Sequence, residues 1–248
     1  MDSTFLSRCS SARLRPLLVL LVVSFTLMAA PLFAQTAPLN DTGQTLCFDN
    51  GALVECTAAN TGDGSTHPRQ DGRFGRDAQA GAGALTKIGS GEAGFDFTKI
   101  CNSGQAAGNG DCPADPALGA DANEWACTRD NVTGLIWEVK TEANADDTFN
   151  FANASDVHAV NVNSAELCGA TDWRVPARRE LLSIVHHGRN NPAIDQAFFP
   201  NTRDAGYWSS DIYALNPTNA WSVFFGFGFA IRDFRTMDFH VRLVRNGQ

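Results

Sequence analysis

The sequence predicts an α+β domain in which two helices pack on mostly antiparallel sheet, preceded by a loop-rich extension pinned by disulfides. Three observations predict it. Two amphipathic stretches lie in succession between residues 156 and 188, an aromatic β-patterned tail runs from Tyr207 to Arg245, and six of the seven cysteines follow a leader of secretory type.

The leader comes first. Arg8, Arg13 and Arg15 precede the apolar run Leu17 to Met28, which is too short to span a bilayer comfortably and is followed by small residues. This reads as a signal peptide over residues 1–34 with cleavage after Ala34, and the alternative is an uncleaved N-terminal anchor. Cys9 lies ahead of the apolar run, which argues against a lipoprotein. No later stretch of the sequence is long and apolar enough to cross a membrane.

The chain has 19 Lys and Arg against 27 Asp and Glu, a formal charge of −8 that becomes −10 when Arg8, Arg13, Arg15 and Asp2 leave with the leader. The acidity is concentrated between Gln35 and Gly169, where seven basic residues meet nineteen acidic ones; from Ala170 onward nine arginines outnumber seven acids. Such a chain does not suit nucleic acid as a partner. Cys47, Cys56, Cys101, Cys112, Cys127 and Cys168 remain, an even count that points to three disulfides and an oxidising compartment. Of the possible connectivities the sequential one, Cys47–Cys56, Cys101–Cys112 and Cys127–Cys168, is preferred because the first two pairs close short Gly-, Asn- and Asp-rich loops. A metal site is the alternative, but no C-x-x-C pair and no suitably spaced His supports it; no metal and no cofactor is expected.

Residues 35–122 read as a loop-rich extension with one strand near Phe95 to Ile100, and residues 123–248 as the folded domain. A strand over Leu135 to Val139 follows the turn at Thr133 and Gly134. A helix is expected from Asp156 to Cys168, with Val157, Val160, Ser164, Leu167 and Cys168 on its buried face and Gly169 as its stop. A second helix begins after Pro176, carries Leu181, Leu182, Ile184 and Val185 inward, and ends at Gly188. Four strands follow, Tyr207 to Ser210, Ala220 to Phe225, Phe227 to Phe234 and His240 to Arg245, with Gly226 to Gly228 as a hairpin turn. Twelve of the twenty-four Phe, Trp and Tyr residues lie between Phe198 and Phe239, enough to furnish an aromatic core and to leave a few rings facing outward for sugar stacking.

Trp137, Trp173, Trp208 and Trp221 are assigned to that core, and Arg174 to a structural pairing with Asp172 or a buried carbonyl. Arg178, Arg179, His186, His187 and Arg189 would form a basic ligand-binding face if they share one exposed side, suited to the sulfate or carboxylate groups of an acidic polysaccharide; a solvated face neutralised by nearby acids is the alternative. Adjacent His186 and His187 point about 100° apart on a helix and cannot chelate one ion together. Ser209 and Ser210 lack a nucleophile elbow, and the carboxylates Asp146, Asp147, Glu138 and Glu142 read as ordinary surface acids. The stretch Asn60 to Ser65 clusters oxygen ligands without the spacing of an EF-hand loop. No catalytic residue is assigned.

Three segments taken together, CTRDNVTGLIWEVK from Cys127, CGATDWRVPARRELLSI from Cys168, and the tail with YWSS, AWSVFF and VRLVR, resemble the C-terminal domain family of the Legionella collagen-like adhesin. The resemblance implies a compact C-type-lectin-like fold over about Trp125 to Arg245 in a bacterial protein that is secreted, periplasmic or on the cell surface. Relatives place a Thr at the cap before Arg178, where this chain has Ala177 while keeping Glu180, so half of a capping box is missing. They also read V-R-C-V-R in the last strand, and Leu243 at the middle position leaves Cys127 as the partner for Cys168. The implied function is a secreted or surface-exposed, non-catalytic binding module, adhesin-like, for glycans or other extracellular polymers; the alternatives are a structural envelope protein without a small ligand and an enzyme acting on polysaccharide. Neither a collagen-like stalk nor the calcium-and-sugar tripeptides of C-type lectins is present.

Overall fold

The computed structural model describes residues 40–57, 59 and 65–247. The expected leader over residues 1–34 lies outside the described residues, as does nearly all of the oxygen-rich stretch Asn60 to Ser65. No helix among the described residues is long and apolar enough to cross a membrane.

The architecture is α+β with antiparallel sheets and few helices. A small hairpin pairs β1 (Cys47–Asp49) with β2 (Ala52–Val54), and the short helices α1 (Asp71–Phe74) and α2 (Arg76–Gly81) follow it. Strands β3 (Phe97–Cys101), β4 (Trp125–Asp130), β5 (Leu135–Glu138) and β9 (Val244–Asn246) form a four-stranded sheet in that order. Strands β6 (Gly206–Ile212), β7 (Asn219–Phe224) and β8 (Phe229–Phe234) form a separate three-stranded meander. The four tail strands therefore do not stay together. The last one leaves the meander and pairs with β5, Trp137 opposite Val244.

The two-residue period of β5 explains the core. Ile136 and Trp137 point to opposite faces of the sheet and enter different hydrophobic clusters. Trp137 joins Phe95, Phe97, Phe199, Tyr207, Val223 and Leu181; Ile136 joins Cys127, Cys168, Trp173, Trp208 and Leu243. The sheet thus divides two cores. Strand β3 belongs to it fully, since Phe97 feeds one core and Ile100 the other. The three bridges are Cys47–Cys56, Cys101–Cys112 and Cys127–Cys168, the sequential set.

Both helices depart from expectation. The first starts at Phe151, where Asn150 caps the N–H of Asn153 at 3.0 Å, and runs Phe151–Asn153, Ala154–Ala159 and Val160–Ser164 as one helix, α3, whose middle segment is a π-helix. The extra residue in the π turn rotates the buried face. Ala154, His158 and Ala159 point inward, whereas Val157 and Val160 are exposed. Cys168 lies beyond the helix with a left-handed φ of 52°, in a 3-10 turn over Leu167–Gly169. The second helix, α4, covers only Arg178–Leu182, and Ile184 and Val185 reach the core from the turn after it.

Alanine offers α4 no side-chain cap. Glu180 Oε2 still accepts from the N–H of Ala177 at 2.7 Å, and Asp211 Oδ2, from β6, accepts from the N–H of Arg178 at 2.7 Å. A carboxylate from another element thus takes up one of the unpaired donors at the helix start. Arg174 pairs with neither Asp172 nor a buried carbonyl: its guanidinium makes two bonds to Glu180, at 2.7 and 2.6 Å, and a longer one to the exposed Asn246 Oδ1 at 3.4 Å, while Asp172 accepts from Arg245 Nε at 2.6 Å. Arg174 is half-buried, so it braces the helix start and does not belong to the core.

Candidate functional site

The five residues of the expected basic face fall in different environments. Because α4 ends at Leu182, only Arg178 and Arg179 lie on it, and the other three lie in the turn beyond. Arg178 stacks over the Trp221 ring at 4.3 Å. Trp221, assigned to the core from sequence, is half-buried and meets Tyr213 edge-on at 5.4 Å; it is the platform for that guanidinium. His186 is buried, packs on Phe95 with ring centroids 5.4 Å apart, and has its pKa pushed down mainly by burial. Arg189 is ion-paired with Glu92. Arg179 and His187 are exposed. No single basic face is formed, because the segment turns inward at His186 to close the core.

A cluster of charges not foreseen from the sequence occupies the Trp208 side of the four-stranded sheet. Glu138, read as a surface acid, is buried at the end of β5: Oε1 accepts from Lys140 Nζ at 2.6 Å, and Oε2 accepts from the N–H of Leu243 at 2.9 Å and lies 3.2 Å from His158 Nε2. Arg242, also buried, donates to the Glu138 carbonyl at 2.7 Å and to Thr202 Oγ1 at 2.8 Å. Burial alone would raise the Glu138 pKa; Lys140 and His158 more than offset it and hold the carboxyl well below the usual range. Glu138, Lys140 and Arg242 are each no more than 2 % exposed, so a substrate would have no access to them.

The outward-facing aromatics gather on the meander. The register that sets Ser222 opposite Ile231 and Phe224 opposite Phe229 puts all four on one face with Asp233. Near β6 that face is covered, since Trp208 lies under Phe151 and Phe239. Toward β8 the cover ends and leaves a groove of about 410 Å³ lined by Phe224, Phe229, Ile231 and Phe239, with Asp204, Asp233, Asp238 and His240 among its polar groups. Phe229 is 45 % exposed and its ring lies 5.6 Å from that of Phe224. Ser222 Oγ donates to Asp233 Oδ2 at 2.6 Å. Burial lowers the His240 pKa, and Nδ1 lies 3.2 Å from the Asp147 carbonyl, which as an acceptor selects the tautomer with the proton on Nδ1 and leaves Nε2 as an acceptor. The sequence signal for this groove was the alternation Phe229, Ile231, Asp233 after the GFG turn.

One set of three metal-ligating side chains is found among the described residues, Asp41, Asp71 and Asp77, with a ligand oxygen from each within 4.8 Å of the others. Burial first, then the carboxylates of Asp41 and Asp71, push Asp77 up to about 8.

Residues 126–245 match the family model of the Lcl C-terminal domain. This chain carries an Lcl C-terminal domain. No curated protein matches the chain. The Lcl C-terminal domain runs from β4 to the last strand and contains the aromatic groove, the buried Glu138 cluster and the Cys127–Cys168 bridge. Strand β3, which completes its sheet, and the three carboxylates of the aspartate set precede the matched residues.

Proposed function

We propose that this chain is a non-catalytic, surface-exposed binding module, adhesin-like, that holds extracellular glycans in the groove beside β8. The membership in the Lcl C-terminal domain family supports the adhesin-like role, and with it a C-type-lectin-like architecture and delivery by the leader to the periplasm, cell surface or medium. The groove carries the choice of ligand. A sugar ring has an apolar C–H face and a rim of hydroxyls; Phe224 and Phe229 offer the first an aromatic surface, and Asp204, Asp238 and His240 Nε2 offer the second hydrogen-bond acceptors. The acids favour neutral, hydroxyl-rich glycans over sulfated ones, because like charges repel. The arginines near α4 do not compensate, since Arg174, Arg178 and Arg189 are already held by Glu180, Trp221 and Glu92.

A glycan array probed with the full chain tests this. Neutral oligosaccharides bind, binding is insensitive to salt, and Phe229→Ala weakens it by about tenfold or more, as expected for loss of a central aromatic contact. Arg178→Glu with Arg179→Glu leaves it unchanged. Salt-sensitive binding of heparin lost in the arginine double variant would move the site to the α4 segment, and no binding by any form would point to a structural envelope protein.

A further inference from the structure

We propose that Asp41, Asp71 and Asp77 form a calcium site in the segment that precedes the Lcl C-terminal domain. The three carboxylates come from separate pieces of chain: Asp41 from the strap ahead of β1, Asp71 from the first turn of α1, and Asp77 from the first turn of α2. Each has one oxygen held by a protein donor. Asp41 Oδ1 accepts from the N–H of Thr42 at 2.7 Å, Asp71 Oδ2 from Thr42 Oγ1, and Asp77 Oδ1 from the N–H of Gly94 at 3.3 Å. The other oxygens of Asp41 and Asp77 are the decisive observation. Both side chains are more than nine-tenths buried, yet among the described residues Asp41 Oδ2 and Asp77 Oδ2 have no hydrogen-bond donor. A buried carboxylate oxygen without a donor is costly, and two beside a third acid are more so.

Glycines make room for these oxygens. A Cβ at Gly94 would overlap Asp41 Oδ2, and a Cβ at Gly75 would overlap Asp71 Oδ1. The ligand atoms all lie within 4.8 Å of one another, close enough to meet on one cation, and three protein carboxylates exceed the one or two that magnesium usually takes, which favours calcium. An all-oxygen, all-carboxylate set suits a hard cation and not zinc or copper. Three carboxylates fill part of the six to eight positions of calcium and water supplies the rest, for which a cleft of about 560 Å³ lined by Asp77 and Gly72 gives a way in. The strap also reaches the matched domain, since Asn40 Nδ2 donates to Asp130 and the Thr42 carbonyl accepts from the N–H of His187 at 2.7 Å. Calcium therefore pins the N-terminal segment to the domain.

The test is calorimetric titration of the full chain, stripped with a chelator, with calcium and separately with magnesium, together with thermal unfolding in each. One calcium binds per chain, saturation raises Tm by about 5 °C, and magnesium at equal concentration gives much less. Asp77→Asn weakens calcium binding at least tenfold and abolishes the rise; should that variant not fold, Asp71→Asn, at the less buried carboxylate, does the same. Wild-type chain that takes up no calcium and has the same Tm in calcium and in chelator overturns the proposal. In that case an Asp77→Asn chain at least as stable as wild type identifies the trio as carboxylates sharing a proton.

Discussion

Glu138 and Asp77 are both buried carboxylates, but the first is surrounded by cations and the second by other carboxylates. Around Glu138 the fold supplies Lys140, His158, Arg242 and the N–H of Leu243, and both oxygens have partners. Around Asp77 it supplies Asp41, Asp71 and one backbone N–H, and an oxygen is left over. The difference follows from where each group sits. Glu138 links β5 to α3 and to the last strand inside the domain, so its compensation comes from the same fold. The aspartates gather where the strap meets the starts of two short helices, with no side chain of opposite charge among the described residues bonded to their free oxygens, and there compensation must come from solution.

The largest effect should come from breaking the compensated cluster. Glu138→Ala leaves Lys140 buried without its carboxylate acceptor, and leaves buried Arg242, which keeps its bond to the residue-138 carbonyl, without the neighbouring negative charge; it should cost about 3–5 kcal/mol, measured by urea unfolding. A loss below 1 kcal/mol would mean that water replaces the carboxylate and that the cluster is not the closed network its distances describe. The cluster also sets the acid limb of stability. The folded pKa of Glu138 is depressed, so its contribution is complete above the unfolded value of 4.5 and is lost as pH falls below it. Glu138→Gln should flatten that limb.

Asp130 lies between the two extremes and gives the opposite sign. It closes the turn before β5 by accepting from the N–H of Val132 at 3.0 Å and from Thr133 Oγ1 at 2.6 Å, but no cation among the described residues bonds to it. Burial pushes its pKa up to about 6 from 3.8, and the turn donors offset that only in part. The folded state holds the proton more tightly than the unfolded chain does. Stability from this group is therefore full below about pH 3.8 and declines as pH rises through 6, by about 3 kcal/mol for a shift of about two units. Asp130→Asn keeps one oxygen to accept from the N–H of Val132, gives up the Oδ2 bonds from Thr133 Oγ1 and Asn40 Nδ2, and removes the charge, so urea midpoints at pH 4, 5, 6 and 7 should lose this decline and the variant should be at least as stable as wild type at pH 7. A variant less stable at pH 7 would show that the carboxylate's bonds outweigh its desolvation.

Much of the scaffold is legible in the sequence because it rests on local rules. The period-two tail, the Thr133–Gly134 turn and short cysteine loops state their structure within a few residues, and Trp137, Trp173 and Trp208 are buried as their surroundings predict. What the sequence hides depends on contacts far apart in the chain. The π turn in α3 brings His158 to Glu138 and Phe149, a demand made by residues elsewhere that turns Val157 outward against the helical pattern. His186 leaves the basic set because Phe95 and Gly43, more than ninety residues upstream, complete its pocket. The aspartate trio is hidden for the same reason, since Asp41 is separated from Asp71 by a hairpin and a disulfide.

The smallest effect separates compensation by side chains from compensation by backbone. Asp211 balances its charge against the N–H of Arg178 at the start of α4, in place of the hydroxyl that Ala177 lacks. Removing a helix cap costs about 1 kcal/mol, so Asp211→Ala should lower stability by about that amount, a third or less of the Glu138→Ala effect. Because the lost partner is a backbone donor at a helix end reached by water, and not a buried cation, the donor is rehydrated and the cost stays small. Ala177→Thr in the Asp211→Ala background should recover part of the loss, since the threonine hydroxyl can accept from the N–H of Glu180 and complete the box with the Glu180 carboxylate already bonded to the N–H of residue 177. If the same threonine adds as much to the wild-type chain, Asp211 and the cap act on different donors and their effects add; if it adds less, the two substitute for one another at the same helix start, which a double-mutant cycle over the two positions measures directly.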